Sequence, residues 1–410
     1  MRRVLVTVAG MTLTVVGIGA DGWEGLTARG RDAVRAADVV LGGARHLELL
    51  PEDVAAERRE WPSPLREGLP ALLSELGDRE VVALASGDPF LSGIGSTLVD
   101  VLGPEGVHDV IPAVSSIALA RAAMRWSAEH TTWVSLVGRH AHRLLRHLEP
   151  GARLLVLVAD GTTATHVAAI LTDEGFGESE ITALSDLGGP AESRRSSSAR
   201  TWHGKTPPLT VLAVECRGAG HWWSRIPGLP DDAFEHDGQL TKRDVRASAL
   251  ARLAPRPGEL LWDVGAGAGS VAIEWMRAHP RNRAVAVERD PVRASRLRRN
   301  AARLGVPDLE VIEGTAPDAL ADLERPEAIF VGGGASREGV LDACWDALVP
   351  AGRLVVHGVT IETETLLMRW HDRHEGGELT RLHIEHVEPI GAFSGWTPSR
   401  AVTQWAVTKR

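Results

Sequence analysis

The run Leu261-Trp-Asp-Val-Gly-Ala-Gly-Ala-Gly-Ser270 has the residue types and spacing of a ligand-holding loop. It predicts a strand ending at Asp263–Val264, a turn through Gly265, Gly267 and Gly269, and a helix over Val271–Arg277. Glycine tolerates positive φ and lets a ligand approach the backbone closely. A helix start adds free N–H groups and positive potential. Nineteen residues after Gly269, Glu288 closes the next strand-like run, AVAVE, where a carboxylate can accept from a ribose diol. A dinucleotide and S-adenosylmethionine both suit this plan. The dinucleotide fingerprint needs Gly or Ala at position 270, which is Ser270. The loop reads G-x-G-x-G behind Asp263, an acid able to help orient an amino-acid head. S-adenosylmethionine is therefore the expected ligand. An ordinary tight turn is the bland alternative, and the ordered strand, loop, helix and acid argue against it.

The first half holds three more loops. Gly17-Ile-Gly-Ala-Asp-Gly22 matches the dinucleotide pattern literally, with Gly17 and Gly19 after a strand-like run. Its context fails, because the helix is expected near Thr27, not Gly22, and the next strand ends at Gly42–Gly43 without an acid. A second loop, Ser86-Gly87-Asp88-Pro89, follows VVALA, and a third, Pro112-Ala-Val-Ser115-Ser116, opens a helix. Three loops at successive strand ends predict one cleft over a sheet edge. Thr241-Lys-Arg-Asp244 fits a capping box, which taken alone means only a helix start. Phe330-Val-Gly-Gly-Gly favours close backbone approach, where an Asn/Asp-Pro-Pro loop would favour amide recognition.

The elements that must position these loops alternate along the chain. Strand-like runs are expected at Leu13–Gly17, Asp38–Leu41, Val81–Ala85, Asp109–Ile111, Trp133–Val137, Arg153–Val158, Ile181–Leu184 and Leu209–Glu215, with helices such as Thr27–Ala37 and Ser116–Met124 between them. That alternation predicts α/β architecture. The Gly-, Pro-, Trp- and Asp-rich stretch Cys216–Leu240 breaks it, so residues 217–240 are expected to link domains over 11–216 and 241–410. A helix over Leu240–Leu253 and strands at Leu260–Val264, Ala284–Glu288, Leu309–Ile312, Ala328–Val331 and Arg353–His357 follow, then a terminal antiparallel hairpin within Leu379–Val407. Ser193–Arg200 is expected to be a loop.

With 44% apolar and 24% charged residues in 410, the chain is long enough for two or three cored domains. A net charge of −9 argues against a general nucleic-acid binder. Two cysteines, Cys216 and Cys344, exclude a disulfide framework and point to a reducing, cytoplasmic compartment. No apolar run is long enough to span a membrane.

VGIGADGWEGLT, ASGDPFLSGIG, PAVSSIALARA and LGGPAE resemble the tetrapyrrole (corrin/porphyrin) methylases, in particular the CbiE branch. TKRDVRA, LLWDVGAGAGSVAIEW, VAVERD, EGTAPDAL and IFVGGG resemble the CbiT family. One chain carrying both is similar to the fused precorrin-6Y C5,15-methyltransferase (decarboxylating) family of cobalamin synthesis. The resemblance implies a tetrapyrrole-methylase fold of two α/β subdomains, then a seven-strand Rossmann-like methyltransferase fold. It implies S-adenosylmethionine as cofactor, methylation of precorrin-6 at ring carbons C5 and C15, and loss of CO2 from a ring acetate, giving precorrin-8. Cofactor-binding positions carry over to Gly17, Gly19, Gly87, Asp88 and Ser116 in the first half. In the second they carry over to Thr241, Gly265, Ala266, Gly267, Ala268, Gly269, Glu288, Gly314 and Ala316, beside Asp263. Ala20 and Ala113 depart from the pattern, where Pro and Gly are usual. Asp88 and Glu274 are the candidate catalytic groups, Glu274 standing one turn into the helix after the glycine loop. The expected partners are a tetrapyrrole substrate and further copies of the chain, with no nucleic acid, membrane or metal site. An NAD(P) oxidoreductase lacks its acid or its third small residue here, an RNA methyltransferase its recognition loop, and a sensor that only binds the cofactor would transfer no methyl. Family-like chains begin almost at the first loop's strand, so Met1–Gly10, with its apolar run Val4–Val8, is expected to be dispensable.

Overall fold

The computed structural model describes residues 10–374 and 376–410, and the run Val4–Val8 lies outside them. The chain divides into two compact units. One holds the residues up to Ala141 with His147–His221, the other His142–Arg146 with Trp222–Arg410.

The first unit contains two five-stranded sheets. β1 (Thr12–Ile18), β2 (Val39–Gly42), β3 (Glu57–Glu60), β4 (Glu80–Ser86) and β5 (Asp109–Ile111) run parallel in the order β3-β2-β4-β1-β5. Alternate β1 side chains face opposite layers. Leu13 and Val15 pack with Leu69, Leu73 and Leu76, while Val16 and Ile18 pack with Leu26 and Val34. Burial on both faces explains why these strands read as unbroken apolar runs. The second sheet comprises β6 (Thr132–Ser135), β7 (Arg153–Leu157), β8 (Glu180–Ser185), β9 (Ser193–Ser198) and β10 (Thr210–Glu215), ordered β6-β7-β10-β8-β9 and mixed in direction.

Three features of this unit depart from expectation. Ser193–Ser198 is a strand, not a loop, pairing antiparallel with β8 at the sheet edge. Glu57–Glu60 is also an edge strand. A single helical turn does begin at Gly22, ahead of the helix Ala28–Ala36, which Thr27 caps by accepting from Gly30 N at 3.1 Å.

The second unit is one seven-stranded sheet. Its strands are β11 (Leu260–Val264), β12 (Arg283–Glu288), β13 (Glu310–Glu313), β14 (Ala328–Val331), β15 (Arg353–Gly358), β16 (Glu378–Leu382) and β19 (Val402–Thr408), ordered β13-β12-β11-β14-β15-β19-β16. The first five are parallel and β19 runs against β15 and β16. β17 (Glu385–Ile390) and β18 (Phe393–Pro398) pair with each other, extending the expected terminal hairpin beyond the sheet. The stretch expected to link domains is mostly exposed or half-buried, but Leu229, Ala233 and Phe234 within it are buried in the core against Leu250, Leu253 and Ile273. The sheet order reverses between β11 and β14, the place where open α/β sheets leave a crevice at strand carboxyl ends.

Candidate active sites

In the second unit the glycine loop connects β11 to the helix Ser270–Ala278. Gly265, Gly267 and Gly269 all have positive φ. A Cβ on Gly265 would stand 2.7 Å from Gly333 O, so the loop can lie against the turn after β14 only with glycine there. Glu288 ends β12, is 4% exposed, and accepts from Gly267 N at 2.8 Å and Asp290 N at 3.0 Å. Its carboxylate therefore fixes the loop while facing a cavity of about 430 Å3, within the usual range for small-molecule sites. Thr241, Gly265, Ala266, Gly267, Glu288, Gly314 and Ala316 line that cavity together. Thr241 is not a helix cap: Lys242 holds that position, with no side-chain bond. Asp237, held by Arg293 (2.9 Å) and Arg296 (3.2 Å), anchors the segment Gly238–Thr241 that lines the cavity, and these guanidinium partners hold its carboxyl far below the usual range.

Three expected binding positions support the loop from behind. Asp263 is 1% exposed and accepts from Ala272 N at 3.0 Å, and burial, with Glu288 nearby, pushes its pKa up to about 7. Ala268 O accepts from Asn300 Nδ2 at 3.0 Å, and a Cβ on Gly269 would stand 2.5 Å from Leu297 Cγ. These two pack the loop onto the helix Pro291–Arg303.

Glu274 does not reach the cavity. It is 3% exposed, receives Arg246 Nε at 2.5 Å, and accepts from Gly228 N at 2.6 Å and Leu229 N at 3.1 Å. Both oxygens are occupied, so it is a packing anchor for the segment before the helix Arg243–Leu253 and not a catalytic group.

In the first unit the three loops meet at the carboxyl ends of β1, β4 and β5. Gly87 N donates to Ile18 O at 3.0 Å, and Ala113 N to Gly87 O at 3.2 Å. A Cβ on Gly17 would stand 2.5 Å from Ala113 N, which explains glycine at that crossing. Gly19, Gly87, Asp88 and Ser116 line a cavity of about 370 Å3, closed on its other side by Leu157–Ala159 and Pro208–Val211 of the second sheet. Gly17 lines a smaller neighbouring cavity of about 210 Å3. Asp88 Oδ1 accepts from Phe90 N at 2.9 Å, so the side chain shapes its own loop as well as the cavity wall.

The comparisons with known proteins fall on the same two units. Residues 12–201 match the tetrapyrrole (corrin/porphyrin) methylases, and residues 232–409 match the precorrin methyltransferase domain. A precorrin-6Y C(5,15)-methyltransferase [decarboxylating] from a Sinorhizobium species is 45% identical over 402 residues, covering 97% of this chain and 96% of its own. A protein of the same name from Mycobacterium tuberculosis is 45% identical over 399 residues, 97% of this chain and all of its own. The chain belongs to the precorrin-6Y C5,15-methyltransferase family. It is a methyltransferase, and S-adenosylmethionine is its methyl donor. A shorter protein from Saccharolobus solfataricus, named a probable cobalt-precorrin-6B C(15)-methyltransferase (decarboxylating), is 32% identical over 148 residues, 35% of this chain and 74% of its own.

Against this family background, several cavity residues had carried no signal in the sequence. Arg45 lines the first cavity, 3.3 Å from Ser86 Oγ and 2.7 Å from His46 Nε2. Burial lowers the Arg45 pKa while Asp186, on the same wall, pulls it up. His46 is pushed down to about 4 by burial and by Arg45. The pair follows Gly42–Gly43, where attention falls on a missing acid. In the second unit Arg337 and His357 line the cavity beside Gly332–Gly334.

Proposed function

We propose that this chain methylates precorrin-6Y twice, at C5 in the first unit and at C15 in the second, and that the second unit also decarboxylates a ring acetate, releasing CO2 and giving precorrin-8. The observation that carries this reading is the presence of two separate cavities, each at parallel strand ends and each built from its own glycine loops. The half-length relative named for C15 methylation with decarboxylation supports assigning that chemistry to one unit alone. The residues carried over at both loops form the proposed cofactor sites, with the functional division of the chain at His221–Trp222.

The bound cofactor supplies an electrophilic methyl group on a sulfonium. The chain's own task is to hold the acceptor carbon in line with that methyl and to exclude water, which can provide most of the acceleration. Glu288 orients the donor in the second unit. Asp88 polarises the first site. Arg45 and Arg337 offer guanidinium groups to a polycarboxylate ring. Two buried, unpaired cysteines suit a reducing, cytoplasmic compartment. The β17–β18 hairpin, with Phe393 81% and Trp396 68% exposed, supports assembly into a homo-oligomer. Incubating the chain with reduced precorrin-6 and S-adenosylmethionine should give a product two methyl groups heavier and one CO2 lighter by mass. An unchanged mass would refute the reading.

A further inference from the structure

His357 stands at the far end of the second cavity from Glu288. Glu288 ends β12 and His357 lies near the end of β15, three strand steps away through β11 and β14, or about 14 Å at the usual strand spacing. The cavity touches both. A cofactor held beside Glu288 therefore leaves the His357 end, with Arg337 and Val402, to the methyl acceptor.

The ring is buried and lies edge-on to Phe330, with centroids 4.8 Å apart. Its cross-strand neighbour on β19 is Gln404, whose amide lies 2.9 Å from Nε2. The other end of that amide faces Arg252 Nε at 2.9 Å and Ser248 Oγ at 3.3 Å. A guanidinium offers only donors, so the amide oxygen must face Arg252. Ser248 Oγ already accepts from Arg252 Nη1 at 2.8 Å, which frees its own proton for the same oxygen. The amide nitrogen is left to donate to Nε2. Nε2 is then the unprotonated nitrogen, and the ring proton sits on Nδ1. Glu378 on β16 locks Arg252 in place, accepting from Nη2 and sharing the single Nε proton, at 3.0 Å, with the Gln404 oxygen. Burial, together with the Arg252 charge, pushes the His357 pKa down to about 4, so the ring is uncharged near neutral pH.

We infer that His357 presents Nδ1–H to the acceptor end of the cavity as a fixed, uncharged hydrogen-bond donor for a carboxylate or carbonyl oxygen of the tetrapyrrole, with its tautomer set by Gln404, Arg252 and Glu378. The inference rests on the tetrapyrrole reading above. Neutrality suits the chemistry. When the acetate side chain loses its carboxyl, the bond from its methylene to the carboxyl carbon breaks and the electron pair passes into the conjugated ring. CO2 departs with no proton needed at the carboxylate, and the methylene left on the ring takes up a proton from water to become a methyl group. A cationic donor would hold the carboxylate's charge in place and oppose that step. A neutral N–H can orient the group with less opposition.

Two measurements on the full chain test this. Imidazole 15N shifts near neutral pH, assigned by the signal lost in His357→Asn, should show a protonated Nδ1 and an unprotonated Nε2. The opposite tautomer or an imidazolium would overturn the inference. In Gln404→Glu the new carboxylate accepts from Nε2–H, so the signature should change and decarboxylation should slow. An unchanged signature there would show that Gln404 does not set the tautomer. Asparagine retains a donor near the Nδ1 position and leucine does not. Decarboxylation with C15 methylation should fall about tenfold in His357→Leu and largely recover in His357→Asn. S-adenosylhomocysteine binding should persist in both. Equal loss in the two variants, or loss in neither, would also overturn it. If the unaltered chain transfers no methyl to reduced precorrin-6, the tetrapyrrole reading fails instead, while the tautomer measurement still stands.

Discussion

Glu274 and Asp263 both flank the glycine loop of the second unit, and their surroundings give them opposite electrostatics. Glu274 is paired with Arg246, which is itself 0% exposed. Removing one partner of a buried pair strands the other, at a usual cost of about 3–5 kcal/mol. Asp231 and two carbonyls also hold Arg246, so Glu274→Ala should lower the unfolding free energy by about 3 kcal/mol in urea titrations. The folded variant should still bind S-adenosylhomocysteine normally, and a selective loss of turnover without destabilisation would restore Glu274 to the reaction. Asp263 has no cationic partner among the described residues, and its folded pKa of about 7 lies above its ordinary 3.8. Between those pH values the folded chain keeps a proton that the unfolded chain has released. Stability from this group is therefore complete below the ordinary pKa and declines as pH rises toward the folded one. In urea unfolding, Asp263→Asn should gain on the unaltered chain as pH rises from about 4 to about 7, then level off. A flat difference would show the carboxyl ionised in the fold.

At the scale of elements, legibility in the sequence followed burial. β1, β4, β11 and β12 are covered on both faces, and their apolar runs announced them. The strand of Ser193–Ser198 has no such covering: its first four residues are exposed and its pairing to β8 is made by backbone, which leaves no mark on composition. The segment before Arg243–Leu253 is legible only in part. Its prolines and glycines look like a connection, yet Leu229 and Phe234 are core residues whose spacing follows no regular period. The loops themselves were legible because close approach demands glycine. The walls opposite them, Arg45, Asp186 and His357, were not, since lone polar residues carry no pattern. The β17–β18 hairpin carries a prediction of its own. Val387, Ile390, Phe393 and Trp396 are exposed on a two-stranded sheet that pairs with no other strand among the described residues. Such hairpins are marginal alone, and apolar patches on them mark association surfaces. Replacing Phe393 and Trp396 with serine should lower the mass found by light scattering while leaving the thermal midpoint of the seven-stranded unit nearly unchanged. An unaltered mass would remove the hairpin from the assembly.

The whole molecule joins two different constructions for the proposed task of presenting a methyl donor at the ends of parallel strands. One builds a cavity between a parallel sheet and a mixed one, and the other builds it over the switch point of a single sheet. Neither cavity draws a lining residue from the other unit, so cofactor binding at the two should be energetically independent. Calorimetry of the full chain should find two equivalents of S-adenosylhomocysteine bound. Glu288→Ala removes the carboxylate that both fixes Gly267 and faces the ligand, leaving ribose hydroxyls unpaired, and should weaken one of the two equivalents by about 1–3 kcal/mol. The first-unit equivalent should keep its affinity. Mass analysis then separates the chemistry: the variant should yield a tetrapyrrole one methyl heavier with every carboxylate retained, because C5 transfer continues while C15 transfer and decarboxylation fail together. Parallel weakening of both equivalents, or loss of both methyl groups at once, would mean that the two units share a single site of action, and the division of labour argued from their separate cavities would be wrong.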